Sequence, residues 1–261
     1  MPEATALVLL DVKGAIATVT LNRPERRNSI TNPMLNQLSR MLKDLAQRDD
    51  IRVVVLRGAG DDFCPGADIQ VTGMGDTVGT AQGEPLDFDA PVVLHTMPAV
   101  TIAAIDGGCA GAGFGWACAC DMRFATPQAV FNTAFLDVGV AGDMGGPWTL
   151  PRIVGPAKAR ELYFLPGKFD AETALRIGLV SKLIPREQLH AEVGAVAQRL
   201  AAAAPLALKA MKSNFVEAER TGLAEFVKLE TRKHIALFTT EDTREAFAAR
   251  RDKRAPVFRG R

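Results

Sequence analysis

Val100-Thr101-Ile102-Ala103-Ala104-Ile105 runs directly into Asp106-Gly107-Gly108-Cys109-Ala110-Gly111-Ala112-Gly113-Phe114-Gly115. The first part is a continuous apolar run of strand length, as expected of a strand buried on both faces in a parallel sheet. The second part is built from small residues and reads as the opening of a helix. Small side chains let a ligand approach the backbone, and free amides at a helix N-terminus carry the positive partial charge that suits an oxyanion. A phosphate would suit them equally, but the Walker pattern and GxGxxG with its distal acid are both missing. A tight turn made only for close packing is the structural alternative.

Upstream, Ala6 to Asp11 and Ala15 to Leu21 are β-rich runs joined at Lys13-Gly14, an opening hairpin. Thr31-Asn32-Pro33 starts a helix in which Met34, Leu35, Leu38, Leu42 and Leu45 recur at helical spacing, and Ile51 to Leu56 is a buried strand. Strand, helix, strand in that order predicts parallel pairing and an α/β fold. Phe63-Cys64-Pro65-Gly66-Ala67-Asp68-Ile69 is a second small-residue turn, in which Gly66 lets the Ala67 amide point outward. Gly73 to Asp89 is glycine-rich and aperiodic, and reads as a surface loop or lid. Downstream, Met122 to Ala125 and Val130 to Phe131 are short strands. From Gly145 the pattern turns helical over Pro156 to Phe164, Ala171 to Ile177, Gln188 to Ala203, Leu206 to Ala218 and Thr221 to Phe238. The division this suggests is a β/α core over residues 1–200 and a helical region over 201–261.

With 31 basic and 30 acidic side chains among 261 residues, the whole-chain charge gives no reason to expect nucleic acid or an anionic membrane as partner. No signal-peptide pattern stands at the N-terminus, and no apolar run nears the ~20 residues that span a bilayer. A cytoplasmic location is the expectation. The four cysteines, Cys64, Cys109, Cys118 and Cys120, lack zinc-pair spacing and a nearby His, and read as buried reduced thiols. No metal is expected. Residues 244–261 carry seven basic and two acidic side chains, either a solvated helix face or a patch for ligand phosphates.

Taken together, these segments resemble the crotonase (enoyl-CoA hydratase/isomerase) family over nearly the whole chain. Leu21-Asn22-Arg23-Pro24 with Asn28 resembles the family's N-terminal motif; Phe63 to Ile69 and Pro98 to Asp121 resemble its two oxyanion segments. Leu150 to Gly155, Gly178-Leu179-Val180 and Glu241 to Glu245 follow in the family's order. The resemblance implies a spiral of β-β-α units with a C-terminal helical region that trimerises, as a homotrimer or homohexamer. It implies an acyl-CoA thioester as substrate and no permanently bound cofactor, coenzyme A being part of the substrate. The amides of Ala67 and Ala112 would form the oxyanion hole. Coenzyme A and the acyl group would lie along Glu25, Arg26, Arg27, Gly66, Asp68, Ile69, Gln70, Gly111, Phe135, Trp116, Trp148, Lys253 and Phe258.

One departure narrows the chemistry. Family hydratases activate water between two glutamates, whereas the matching positions here are Gly115 and Phe135. The remaining acid is Asp143, in a segment similar to the isomerase branch, which includes ring-epoxyphenylacetyl-CoA isomerases. An enoyl-CoA isomerase with Asp143 as its single acid/base group is therefore the expectation; an N-cap for the next helix is the structural alternative. The other readings are a hydratase using Asp143 with Glu84, Asp87 or Asp89, a dehalogenase using Asp143 with His95, and a silent acyl-CoA- or RNA-binding relative. Cys64 as nucleophile has no basic neighbour in sequence, Asp68 and Asp121 read as structural hydrogen-bonding acids, and His190 and His234 read as surface residues.

Overall fold

The computed structural model describes residues 6–68 and 85–261. Its first strands, β1 (Val8–Lys13) and β2 (Ile16–Leu21), form the expected antiparallel hairpin, with Gly14 at φ 59 in the turn. A left-handed turn residue is favourable for glycine, which has no β-carbon to clash. Helix α1 (Asn32–Ala46) follows, with Pro33 in its first turn and Met34, Leu35, Leu38, Leu42 and Leu45 buried along one face. The chain then crosses to β3 (Val53–Gly58) and, after helix α2 (Ala90–Thr96), to β4 (Val100–Ile105).

The main sheet is completed by β6 (Met122–Ala125) and β9 (Lys182–Leu183), in the order β1-β2-β3-β4-β6-β9. Every pair after the hairpin is parallel. Parallel strands need covered faces, and alternate residues of β3 and β4 serve the two sides. Val54, Leu56, Ala103 and Ile105 join the large core with α1 and helix α3 (Gly111–Ala119). Val53, Val55, Ile102 and Ala104 face Leu189, Val193 and Ala197 of helix α7 (Arg186–Ala201). Strands β5 (Gly108–Ala110), β7 (Val130–Asn132) and β8 (Phe169–Asp170) form a second, smaller sheet.

Helices α4 (Gly146–Val154), α5 (Pro156–Phe164) and α6 (Ala171–Arg176) pack beyond α3. Helices α8 (Pro205–Ala218), α9 (Leu223–Leu237) and α10 (Glu241–Arg251) close the chain. They expose Phe215, Leu223, Ile235 and Phe247. Among the described residues, no helix is long and apolar enough to cross a membrane.

One local reading changes. The stretch between the glycine-rich loop and β4 contains the short helix α2, opened by Pro91, where the sequence reading assigned nothing. The loop itself lies mostly outside the described residues, as do Ile69, Gln70 and Glu84.

Candidate active site

The two oxyanion segments leave the C-terminal ends of β3 and β4 side by side. The Cys64 amide donates to the Gly108 carbonyl at 2.8 Å, and the Ala110 amide returns to the Cys64 carbonyl at 3.0 Å. On the other flank, the Ile30 amide donates to Gly66 at 2.8 Å and the Asp68 amide to Ile30 at 2.9 Å. These bonds hold the chain on both sides of Ala67, whose own amide has no acceptor among the described residues and whose side chain is exposed. Gly66 at φ 101 and Gly111 at φ 52 pack together: a β-carbon on Gly111 would lie 3.6 Å from the Gly66 Cα. Ala110, at the N-cap of α3, has no side-chain oxygen to offer. The Ala112 amide is thus one of the first-turn donors that a helix leaves without an internal acceptor. Ala67 and Ala112 follow directly on the two apposed glycines, so two uncommitted amides flank one spot.

A carboxylate locks the segment that precedes the first turn. Asp68 is 4% exposed and takes Arg23 at 3.1 Å and Arg26 at 2.9 Å. Arg27 pairs with Asp62 at 2.9 Å, and Asp62 also accepts the Gly108 amide at 2.6 Å. Asn28, fully buried at φ 61, donates to the carbonyls of Ala59 and Asp62. Glu25 is exposed on the short helical turn Pro24–Arg26. The guanidinium groups of Arg26 and Arg27 therefore stand beside the oxyanion segment in ion pairs.

Asp143 is not a helix cap. The N-cap of α4 is Gly145 at φ 67, without a side-chain capping bond. Asp143 lies between Gly142 at φ 100 and Gly145, with the Phe135 ring packed on Gly142. The residue is exposed, yet partial burial of its carboxyl by the surrounding chain raises its pKa from the ordinary value, an effect its own amide partly offsets. Met144, next in the chain, is buried against Gly115: a β-carbon on Gly115 would overlap the Met144 Cβ and stand 3.0 Å from its carbonyl oxygen. The loop bearing Asp143 thus rests on the helix whose first turn carries the Ala112 amide.

The other candidates are dispersed. Trp116 is wholly buried, because all nine residues of α3 are covered; it belongs to the core rather than to an open acyl pocket. The Trp148 ring stands edge-on to His95 at 5.1 Å and under the Arg152 guanidinium at 3.8 Å. His95 is bonded to Glu219 at 2.8 Å. Asp121 pairs with the buried Lys212 at 2.8 Å and accepts the Thr101 amide, the structural role read for it. All four cysteines are buried and free, and burial pushes Cys64 up to about 12, which removes it as a nucleophile. Among the described residues, no cluster of His, Cys, Asp and Glu has the makings of a metal site.

The basic C-terminal tail folds back along α10. Arg254 pairs with Glu245, and the Arg259 and Gly260 amides bond Asp242. Gly260 rests on Pro205, in a cleft lined also by Ile51, Arg52 and Pro98. Those residues precede β3 and β4, whereas Ala67 and Ala112 follow them. One copy of the chain therefore puts Phe258 at the opposite end of the sheet from the oxyanion segments, and Lys253 is exposed just beyond α10.

Tyr163 escaped the sequence reading. Its ring belongs to α5 and its hydroxyl is sealed from solvent without a hydrogen-bond partner among the described residues. A β-carbon on Gly146 would overlap that hydroxyl and stand 2.9 Å from Cζ. The one available signal was its being the only tyrosine of the chain.

Comparison with known proteins identifies the class of protein to which this fold belongs. The model of the enoyl-CoA hydratase/isomerase family matches residues 11–261, and the chain belongs to that family, with the crotonase fold. It is 34% identical to 1,2-epoxyphenylacetyl-CoA isomerase of Escherichia coli K12, over 97% of this chain and 98% of that one. It is also 34% identical to (E)-benzylidenesuccinyl-CoA hydratase of Thauera aromatica, over 97% and 99%. The crystal structure of an enoyl-CoA hydratase from Bacillus anthracis superposes with a TM-score of 0.90 at 25% identity, covering 98% of this chain and 100% of that one.

Proposed function

We propose that the chain is an enoyl-CoA isomerase in which Ala67 and Ala112 hold the thioester oxygen and Asp143 alone moves the proton. In the forward sense, the Asp143 carboxylate takes a proton from C2 of a 3-enoyl-CoA, and the C–H electrons pass into the enolate. The two amides bear the oxyanion charge. Asp143 then returns the proton to C4 as the double bond forms between C2 and C3. Donors that are fixed in place before the charge develops stabilise it without reorganisation.

The observation that carries this reading is the state of Asp143: not a cap, without an ion-pair partner among the described residues, and raised in pKa by burial. A raised pKa suits a group that must both take and return a proton near neutral pH. The Gly115 contact adds support, since the position that resembles the first hydratase glutamate is filled by Met144. Of the loop acids named for a hydratase, Asp87 and Asp89 are both held by Lys43, at 2.7 and 2.8 Å, and Glu84 lies outside the described residues.

The test is to incubate the protein separately with a 3-enoyl-CoA and a 2-enoyl-CoA and follow the conjugated double bond by absorbance. Asp143→Asn should lower kcat on the 3-enoyl substrate by roughly 10²–10⁴-fold, the usual contribution of a positioned acid/base group. Full activity in that variant would sink the assignment, and water addition to the 2-enoyl substrate by the wild type would favour a hydratase.

Coenzyme A is proposed to run past Glu25, Arg26, Arg27, Gly66, Asp68, Ile69 and Gln70, with Phe135 beside the acyl group. The helical region over residues 201–261 is proposed to assemble the chain into a homotrimer or homohexamer, consistent with the exposed Phe215, Leu223 and Ile235. Lys253 and Phe258 would then meet the coenzyme A of a neighbouring copy. Light scattering that gave a single-chain mass would remove this assembly. A cytoplasmic setting fits an enzyme of soluble thioesters.

A further inference from the structure

The Tyr163 hydroxyl and the Asp143 carboxylate each lack what the other offers. The hydroxyl is buried, has no hydrogen-bond partner among the described residues, and lies against Gly146, the first residue of α4. Asp143 stands three positions earlier, with no capping bond and no ion pair among the described residues. A buried donor left unpaired is unfavourable, so such groups nearly always have a partner in some functional state. The loop around Asp143 supplies a way to meet. Gly142 and Gly145 both have positive φ, and the direction a Gly145 β-carbon would take is empty within 4 Å. Phe135 crowds Gly142 and Met144 is held against Gly115, so the freedom to reorient Asp143 lies in its own side chain and in the open backbone at Gly145.

We infer that Tyr163 is a positioning residue for Asp143, its hydroxyl donating to the Asp143 carboxylate once an acyl-CoA fills the site. This rests on the isomerase reading for its kinetic consequences, but not for the contact itself. The phenol is suited to donate. Burial, then Cys118 of α3, then Asp143 raise its pKa, so it stays protonated across the physiological range. Those two are the titratable groups that bear on it. On Asp143 itself the causes are burial and its own amide, so the carboxylate has no competing charged donor. A tyrosine bond would fix one carboxylate oxygen and leave the other to face the substrate carbons. The contact would also bring the carboxyl part of the way back toward its ordinary pKa.

The experiment compares wild type, Tyr163→Phe, Asp143→Asn and the double variant. Phenylalanine keeps the ring, and it removes an unpaired hydroxyl rather than a bond, so the free Tyr163→Phe protein should melt no lower than wild type. On a 3-enoyl-CoA, kcat should fall roughly ten- to a hundredfold, the range for a hydrogen bond to a charged group, with KM little changed. The acid limb of the kcat profile should move to higher pH. In the Asp143→Asn background the same change should have no further effect. Independently of turnover, carbon-13 NMR of the aspartate carboxyls with octanoyl-CoA bound should show the Asp143 carboxyl titrating higher in Tyr163→Phe than in wild type. Identical titrations in the two complexes, or a Tyr163→Phe loss that persists undiminished on Asp143→Asn, would overturn the assignment. If wild type turns over no 3-enoyl-CoA, the isomerase reading fails, while the carboxyl titration still decides the contact.

Discussion

The two halves of the proposed site, an oxyanion half and an acid/base half, are built on opposite plans. The oxyanion half is over-determined: segments 63–68 and 108–113 exchange backbone bonds, two glycines touch, and Asp68 is clamped by two arginines. The acid/base half is a single loop between Gly142 and Gly145, open on one side and resting on α3 through Met144. The difference follows the chemistry asked of each. Stabilising a developing charge rewards donors that do not move, whereas shuttling a proton between two carbons requires a group that can address both. Rigidity and freedom are thus divided between two segments that meet at α3.

Substitutions on the two sides should therefore behave differently. Among the glycine substitutions the largest effect is expected at Gly113, where an added β-carbon would overlap the Cys64 carbonyl oxygen and lie 2.7 Å from the Cys64 Cβ. Gly113→Ala must push the two segments apart, and kcat should fall roughly 10²–10³-fold, as when one oxyanion donor is lost. Single-turnover kinetics would check this, and near-normal kcat would mean that the rigid half is less rigid than its bonds imply. On the loop side, Gly145→Ala meets open space and only the strain of φ 67. A loss of about 1–2 kcal/mol in stability, with kcat within a fewfold of wild type, is expected from urea unfolding and assay.

The smallest effect is in pH-dependent stability. The pKa of Asp143 is raised on folding, so ionised Asp143 opposes folding above its folded pKa. That penalty disappears as the pH falls through the folded pKa toward the lower unfolded value. Asp143→Asn should consequently melt slightly higher than wild type near neutrality, with the gain shrinking on acidification. A lower melting temperature at pH 7 would mean that the carboxylate has a stabilising partner in the free protein.

The rigid half was also the more legible half. Apolar runs and helical spacing placed β1 to β4 and α1, and Gly66 pointed to the Ala67 amide, because these follow from backbone requirements written locally; Ala112 was named only through the family resemblance. Side-chain destinations were less legible. Helix α3 is apolar all round, so no periodicity told which way Trp116 faces, and it went to the core. Strand β5, Gly108–Ala110, has no β-propensity and exists through its pairing with β7. Tyr163 acquires meaning only because α5 brings it over Gly146, a contact that no local pattern encodes.

The apposition of Gly66 with Gly111 also bears on how the protein becomes active during folding. It joins distant points of the chain, with β4 and the crossover before it in between. Contacts of such long sequence separation form late, after the loop entropy between them has been lost. A partly folded chain can possess α1 and the hairpin and still have no oxyanion hole. Recovery of activity after dilution from denaturant would then trail recovery of helical signal, and a half-made chain would have no means of enolising a thioester by accident.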